Sequence, residues 1–233
     1  MTRTALITGA SRGIGRETAL KFARSNTPFD SLALVARESE DFSQTLDDLR
    51  DVFAGTVYSY SVDLGDRSSV IGLARQAYQD MGGVSVLVNN AGYTNPVAVH
   101  QIDFEDFERT MAVNLYAPFT LIQELLRGGN VFEAIVNIAS TAGIAGRSGW
   151  LTYSASKAAV INMSDVLREE LSIYGTRVAC ISPGRTATDL RVKLAPDEDP
   201  STIMQPQHVA EVIDVLLQPV GAFIDSENLV VRQ

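Results

Sequence analysis

Short apolar runs alternate with longer stretches of helical period along the whole chain. The runs at 4–8, 31–36, 56–62, 84–89, 134–139, 177–182 and 228–231 are of strand length and mostly continuously apolar, the pattern of parallel strands buried on both faces. Between them, 15–24, 42–53 and 68–81 have helical pattern and length, as amphipathic helices require. Longer helices are expected over 104–126 and 150–174, and another begins near Pro206. Strand-helix-strand alternation with right-handed crossovers predicts an α/β fold, a doubly wound parallel seven-stranded sheet with helices on both faces. In such a sheet ligands bind beyond the carboxyl ends of the strands. No internal repeat interrupts the pattern, so residues 1–233 read as one domain. The segment 189–206, rich in Pro, Asp and Ser toward its end, lies between the sixth strand and the last helix and is expected to be a mobile substrate lid.

Composition narrows the function class. With 233 residues, 45% of them hydrophobic and 20% charged, the chain is ordinary globular material with a substantial core. A net charge of −9 opposes phosphate backbones and anionic lipid surfaces, so neither nucleic acid nor membrane is an expected partner. Cys180 is the single cysteine, which excludes an internal disulfide, and His100 and His208 are too far apart for a local metal motif. No metal is expected. No apolar run approaches the roughly 20 residues that cross a bilayer, and the chain enters its first strand directly. A cytoplasmic location is therefore expected.

The first strand runs into Gly9-Ala10-Ser11-Arg12-Gly13-Ile14-Gly15 and then a helix. A glycine-rich turn at a helix N-terminus is a seat for a pyrophosphate. At the end of the second strand, where an acid would hold a ribose 2′-hydroxyl, the chain carries Arg37. An acid repels a 2′-phosphate and a guanidinium binds it, and Arg12 lies within the glycine turn to reach the same group. NADP, with NADPH preferred over NADH, is the expected cofactor, although Glu38 next to Arg37 is placed to offset its charge.

Tyr153 and Lys157 stand four residues apart in Tyr153-Ser154-Ala155-Ser156-Lys157 and share one helix face. A nearby ammonium favours phenolate over phenol, which draws a tyrosine toward a working pH and makes it a proton donor and acceptor.

Taken together, these motifs resemble the short-chain dehydrogenase/reductase family along nearly the whole chain. Thr8 to Gly15 is similar to its Thr-Gly-x-x-x-Gly-x-Gly turn, and Asp63 with Leu64 to its adenine contact. Asn90, Ala91 and Gly92 fall in its Asn-Asn-Ala-Gly motif, and Pro183, Gly184, Thr186 and Thr188 in the segment beside the nicotinamide. Asn114, Ser140, Tyr153 and Lys157 match its catalytic group, with twelve residues between Ser140 and Tyr153. The resemblance implies a Rossmann-type sheet and reduction of a carbonyl. Tyr153 would donate the proton and Ser140 orient the oxygen, while Lys157 holds the nicotinamide ribose and Asn114 anchors a relay water. Taken singly, Asn114 also reads as a helix cap or kink, Ser140 as a strand-end hydroxyl and Asp63 as a cap of the next helix.

Tyr93, Thr141, Arg147, Trp150 and Arg185 are expected to line the substrate pocket. Arg185, with Arg191 and Lys193 behind it, points to a substrate carrying a phosphate or carboxylate. The same run resembles, more weakly, the ketopentose-phosphate reductase part of pentitol-phosphate enzymes. A 3-oxoacyl thioester reductase and a broad ketone and aldehyde reductase are alternatives, and a non-catalytic NADP-sensing protein is the rival from another class. The small-molecule carbonyl compound would be met by a homodimer or homotetramer, as the family implies. The chain ends Glu227-Asn228-Leu229-Val230-Val231-Arg232-Gln233 rather than in the family's Asp-Gly-Gly segment, which puts the terminal assembly surface in doubt. A reductase module of a larger polypeptide fits the same sequence.

Overall fold

Successive side chains of a strand point to opposite faces, so each apolar run feeds two cores at once. In the computed structural model, which describes residues 2–224 and 227–233 and leaves Met1, Asp225 and Ser226 outside the described residues, seven strands do this in one parallel sheet. They are β1 (Thr4–Thr8), β2 (Ser31–Ala36), β3 (Thr56–Ser61), β4 (Val86–Asn89), β5 (Ala134–Ile138), β6 (Arg177–Pro183) and β7 (Leu229–Val231), in the order β3-β2-β1-β4-β5-β6-β7. Ala5, Ile7, Leu32, Leu34, Val136 and Ile181 face one core with α1 (Gly13–Ala23), α2 (Glu40–Val52) and α9 (Pro206–Leu217). Leu6, Ala33, Val35, Leu87, Ile135 and Val178 face the other, with α3 (Arg67–Met81) and α5 (Ala117–Arg127). The sheet order reverses at β1 and β4, and the crevice beyond their carboxyl ends is where such a sheet binds a ligand.

Three elements differ from expectation, two of them where an asparagine side chain bonds backbone elsewhere in the chain. The fourth strand starts at Val86 rather than 84, since Asn130 bonds Val84 on both sides, accepting from its N at 2.7 Å and donating to its O at 3.0 Å. The expected single helix over 104–126 is instead α4 (Phe104–Met111), a π-helical turn at Ala112–Tyr116 and then α5. Asn114 lies in that turn, and π-turns of this kind widen a helix where a side chain must reach elsewhere. The long helix α7 (Leu151–Leu171) passes into a 3₁₀ turn at Ser172–Tyr174 and ends at Gly175, whose φ of 74° suits glycine.

The segment 189–206 carries more structure than its composition indicates. It contains α8 (Asp189–Leu194) and a 3₁₀ turn at Pro200–Thr202, and it buries Ile203 and Met204. The Ala187 N–H donates to the Met204 carbonyl at 2.8 Å, which closes the segment on itself. The short helix α6 (Thr141–Ile144) packs on α7 at one close point: a Cβ at Gly143 would stand 2.6 Å from the Lys157 carbonyl carbon and 2.7 Å from Ala158 N. Gly143→Ala should therefore push α6 away from α7 and destabilise the fold by about 1–3 kcal/mol. Gly146→Ala, where nothing stands within 4 Å, should be near neutral, and chemical denaturation of the two variants checks the contrast.

Candidate active site

The glycine turn is shaped by close backbone approach. Gly9 has φ 66° and a Cβ there would lie 2.7 Å from the Ala91 Cα, while one at Gly15 would lie 2.3 Å from the Gly9 carbonyl oxygen. Thr8 and Asn90 bind the turn to the end of β4. Thr8 Oγ1 accepts from Asn90 N at 3.0 Å and Ala91 N at 3.1 Å, and Asn90 Nδ2 donates to the carbonyls of Thr8 and Gly9 at 2.9 and 3.1 Å. Arg12 is the N-cap of α1 and makes no side-chain cap, and no acid occupies the first turn. The amides of Gly13, Ile14 and Gly15 thus meet the requirements of an anionic pyrophosphate, and the residues present fit a dinucleotide. Ser11 is tied to α2 through its carbonyl, which accepts from Thr45 Oγ1 at 2.8 Å. Thr188 caps α8 and stands beside the turn, its Cγ2 at 3.3 Å from a Cβ placed on Gly13.

The two arginines differ in their freedom. Arg12 Nη1 contacts Asp41 at 3.1 Å and Asp189 at 2.7 Å, so both carboxylates offset its charge. Arg37 is exposed just beyond β2, and among the described residues no ion pair engages it, Glu38 included. Asp63 forks to Arg109 Nη2 at 2.7 and 2.9 Å and accepts from Gly65 N at 2.9 Å. Burial acts most strongly on its carboxyl and raises it, yet the Gly65 amide and Arg109 prevail and hold it below the usual range. Asp63 does not cap α3: Asp66 does. Leu64 is buried beneath it.

The catalytic types converge at the carboxyl end of β5. Ser140 caps α6, its Oγ accepting from Ala142 N at 3.1 Å, and its hydroxyl is near enough to Tyr153 to act on the phenol. Tyr153 is 6% exposed and Lys157 3%, so neither titrates as a solvated group. Burial pushes the Tyr153 phenol up to about 12, against the opposing pull of the Ser140 hydroxyl and the charge of Arg191. It brings Lys157 down to about 8, and Lys157 Nζ donates to the Ile138 carbonyl at 2.7 Å. The expectation that Lys157 draws Tyr153 toward working pH is thus corrected: the ammonium is 5.8 Å from the tyrosine ring centre, and loss of water outweighs it. Tyr153 is held as a neutral phenol, the form that donates.

Asn114 is committed on every side. Its Oδ1 accepts from Tyr93 N at 2.7 Å, and Nδ2 donates to Tyr93 O at 3.0 Å and Ser156 Oγ at 2.9 Å. Both amide hydrogens are spent on protein. Gly92 stands beside Asn114 and Lys157, where a Cβ would come within 3.9 and 4.0 Å of Oδ1 and Nζ. Pro183 closes β6 and Gly184 N donates to the Val231 carbonyl at 2.8 Å, while Thr186 is buried with its Oγ1 donating to the Gly184 carbonyl at 3.2 Å.

Of the substrate-lining candidates, Trp150 is closest to the chemistry, its ring edge-on to Tyr153 with centres 6.5 Å apart. Arg147 and Arg191 carry their guanidinium groups against it at 5.5 and 5.6 Å. Thr141 opens α6 next to Ser140. Tyr93 is turned elsewhere, its hydroxyl donating to Asp106 Oδ1 at 2.6 Å, a bond that raises the phenol above its ordinary value. Arg185 is not the unpaired cation that its place in the sequence indicates. Glu198 accepts from Arg185 Nη1 at 3.1 Å and from Arg191 Nε and Nη2 at 2.5 and 2.8 Å. Glu198, seven and thirteen residues from Arg191 and Arg185, and Arg109, forty-six from Asp63, carry no local motif and were not legible in the sequence.

A family model described as short chain dehydrogenase matches residues 3–199. The chain belongs to the short-chain dehydrogenase family. It is 30% identical to the (2S)-[(R)-hydroxy(phenyl)methyl]succinyl-CoA dehydrogenase subunit BbsD of Thauera aromatica, over 98% of this chain and 94% of that one. It is also 30% identical to the 3-oxoacyl-[acyl-carrier-protein] reductase FabG of Thermotoga maritima, over 97% and 94%. Among solved structures, a blue fluorescent protein from a metagenomic library in complex with NADPH superimposes with a TM-score of 0.87 at 26% identity, covering 98% and 96% of the two chains. NAD⁺-bound xylitol dehydrogenase does so with 0.85 at 26% identity, covering 99% and 97%. As a short-chain dehydrogenase the chain is an NAD(P)-dependent oxidoreductase acting between CH–OH and C=O on small molecules. Among the described residues no helix is long and apolar enough to cross a membrane.

Lys157 gives the family site a pH signature in stability. Its ammonium keeps its proton to about 10.5 when unfolded and loses it near 8 when folded, so between those values the unfolded state binds more protons and stability rises with pH. Urea denaturation at about pH 7.5 and about pH 9.5 should show this gain in the parent and a smaller one in Lys157→Met.

Proposed function

We propose that this short-chain dehydrogenase is a cytoplasmic, NADPH-preferring reductase that converts a carbonyl compound to its alcohol, with Tyr153 as general acid. The observation that carries the reading is the gathering of Ser140, a buried Tyr153 and a buried Lys157 beyond the carboxyl end of β5. When bound, the nicotinamide supplies hydride to the carbonyl carbon. Tyr153 then gives its proton to the carbonyl oxygen, which Ser140 orients, so the alkoxide does not develop uncompensated. Lys157 is the group to hold the nicotinamide ribose, and Asn114 shapes the π-turn that packs against Ser156 and Tyr93. Gly9, Gly13, Ile14, Gly15, Ala91, Gly92, Asp63 and Leu64 are assigned to the cofactor seat, with Asn90, Thr186 and Thr188 framing it.

The NADPH preference rests on Arg37, since carboxylates already engage Arg12. The pairing of Arg185 with Glu198 favours a carbonyl compound without a phosphate or carboxylate at that place. The 3-oxoacyl reductases among the relatives make 3-oxoacyl thioesters the first class to test, with simple ketones and ketopentose phosphates as the comparison. The segment 189–206 is assigned as the substrate lid. Exposed Phe104, Tyr116, Phe119 and Val166 on and between α4, α5 and α7 support a homo-oligomer, dimer or tetramer, formed through those helices. A cofactor sensor would have no need of the Ser140, Tyr153 and Lys157 cluster.

Tyr153→Phe should lower turnover of NADPH with every reduced carbonyl compound by about 10²–10⁴-fold while NADPH binding, read by fluorescence titration, stays near the parent value. Unchanged turnover would remove Tyr153 from the mechanism, and NADPH binding without turnover in the parent would favour the sensor. Arg37→Glu should reduce kcat/KM for NADPH by about 10–100-fold and leave NADH equal or better, measured as paired initial-rate series.

A further inference from the structure

A dinucleotide whose pyrophosphate sits on the glycine turn at the end of β1, and whose nicotinamide lies toward Tyr153 beyond β5, must extend its other half over β2 and β3. Asp63 is the acid at that end, just past β3, and Leu64 is buried next to it. The Asp63 carboxylate is nearly filled. Its Oδ1 accepts from Gly65 N at 2.9 Å and from Arg109 Nη2 at 2.7 Å, and its Oδ2 accepts from the same Nη2 at 2.9 Å. A carboxylate offers about four lone-pair directions, so one remains, on Oδ2. Arg109 is itself held from two sides. It belongs to α4, which Asp106 also ties down by accepting from the Tyr93 hydroxyl at 2.6 Å. Its guanidinium lies against Gly65, where a Cβ would come within 2.5 Å of Cζ and 3.1 Å of Nε.

We propose that Arg109 is the positioning residue for the base of the cofactor: spanning the Asp63 carboxylate against Gly65, it leaves one acceptor for the base, which takes a purine with an exocyclic amine and refuses one with an oxo group in that place. The inference rests on the dinucleotide reading of the glycine turn. Its chemistry is that of the ion pair. An ionised carboxylate only accepts, so it bonds an amine hydrogen and repels a carbonyl oxygen, whereas a protonated acid can also donate and so meets either base. Arg109 keeps Asp63 in the first form and, with the Gly65 amide, fixes the plane in which its free lone pair lies. The same pairing separates two tasks. Asp63 offsets the Arg109 charge, which leaves a 2′-phosphate to the exposed Arg37 beyond β2.

Fluorescence titration of the parent with NADPH and with reduced nicotinamide hypoxanthine dinucleotide phosphate, in which an oxo group replaces the adenine amine, should show NADPH bound about tenfold or more tightly. Arg109→Leu should bring the two within about threefold of one another, chiefly by weakening NADPH. Arg109→Lys, which keeps the charge and loses the planar guanidinium, should recover part of the ratio. Gly65→Ala, whose methyl group displaces the guanidinium, should reduce it. The same narrowing is expected between NADH and its hypoxanthine analogue, and the affinity for reduced nicotinamide mononucleotide, which lacks the base, should not move. Those results together support the proposal. A parent that does not discriminate, an equal loss on the amino and oxo cofactors, or a loss confined to the 2′-phosphorylated pair overturns it and leaves the reductase reading standing. A parent that binds no dinucleotide overturns the cofactor reading and this inference with it.

Discussion

Everything at the carbonyl site depends on taking an ammonium and a phenol out of water on one helix and holding them at the end of one strand. Desolvation penalises a charge by far more than a surface hydrogen bond returns, so Lys157 needs a fixed acceptor, and the Ile138 carbonyl at 2.7 Å provides it. The strand end can offer that carbonyl because β5 stops at Ile138 and Ser140 turns the chain into α6. Tyr153 meets the same low-polarity setting as a neutral group and is stabilised in the form that carries the proton. One constraint, burial, therefore acts on both members of the pair at once, raising the phenol and lowering the ammonium.

Holding α7 at that place falls to buried side-chain bonds that cross from strand to strand. Asn89 Nδ2 donates to Asn137 Oδ1 at 2.9 Å, Asn137 Nδ2 to Ser164 Oγ at 3.0 Å, and Ser164 Oγ to the Val160 carbonyl at 2.7 Å. This chain runs from β4 through β5 into α7 one helical turn and more beyond Lys157, so the helix cannot slide along the sheet without unpairing buried polar atoms. Asn114 makes the second attachment, joining the π-turn to Ser156 and to the Tyr93 backbone. Ser156 lies between Tyr153 and Lys157 on α7, and Tyr93 follows the end of β4. The same amide that distorts its own helix unites three elements.

How much of this was readable follows from the range of each interaction. The sheet was legible because burial on both faces leaves continuous apolar runs, and the cofactor turn because close backbone approach demands glycine at Gly9 and Gly15. The π-turn was hidden, since Ala112 to Tyr116 keeps a helical pattern and only contacts with Tyr93 and Ser156 explain its widening. The start of β4 was misplaced because Asn130, forty-six residues away, takes both backbone groups of Val84. The spacing of Tyr153 and Lys157 foretold that the two side chains meet but not the balance between them. Helical periodicity reports proximity, whereas the depth of burial that reverses the balance is a property of the assembled sheet.

The segment 189–206 is held by contacts of a different kind from those that fix α7 on the sheet. Its ion pairs reach in two directions, Asp189 to Arg12 at the glycine turn and Glu198 to Arg185 and Arg191 near Trp150. The Arg12 pair is more than half exposed on both sides, and pairs of that sort are worth about 0–1 kcal/mol. Buried Ile203 and Met204 supply the apolar anchorage, and the bridge from Thr186 to Met204 the backbone one. Local stability therefore falls from the amide-locked strand ends to the ion-paired segment 189–206. Asp189 and Arg191 belong to one helix of six residues, so displacement at the glycine turn and displacement at the aromatic wall are mechanically the same motion.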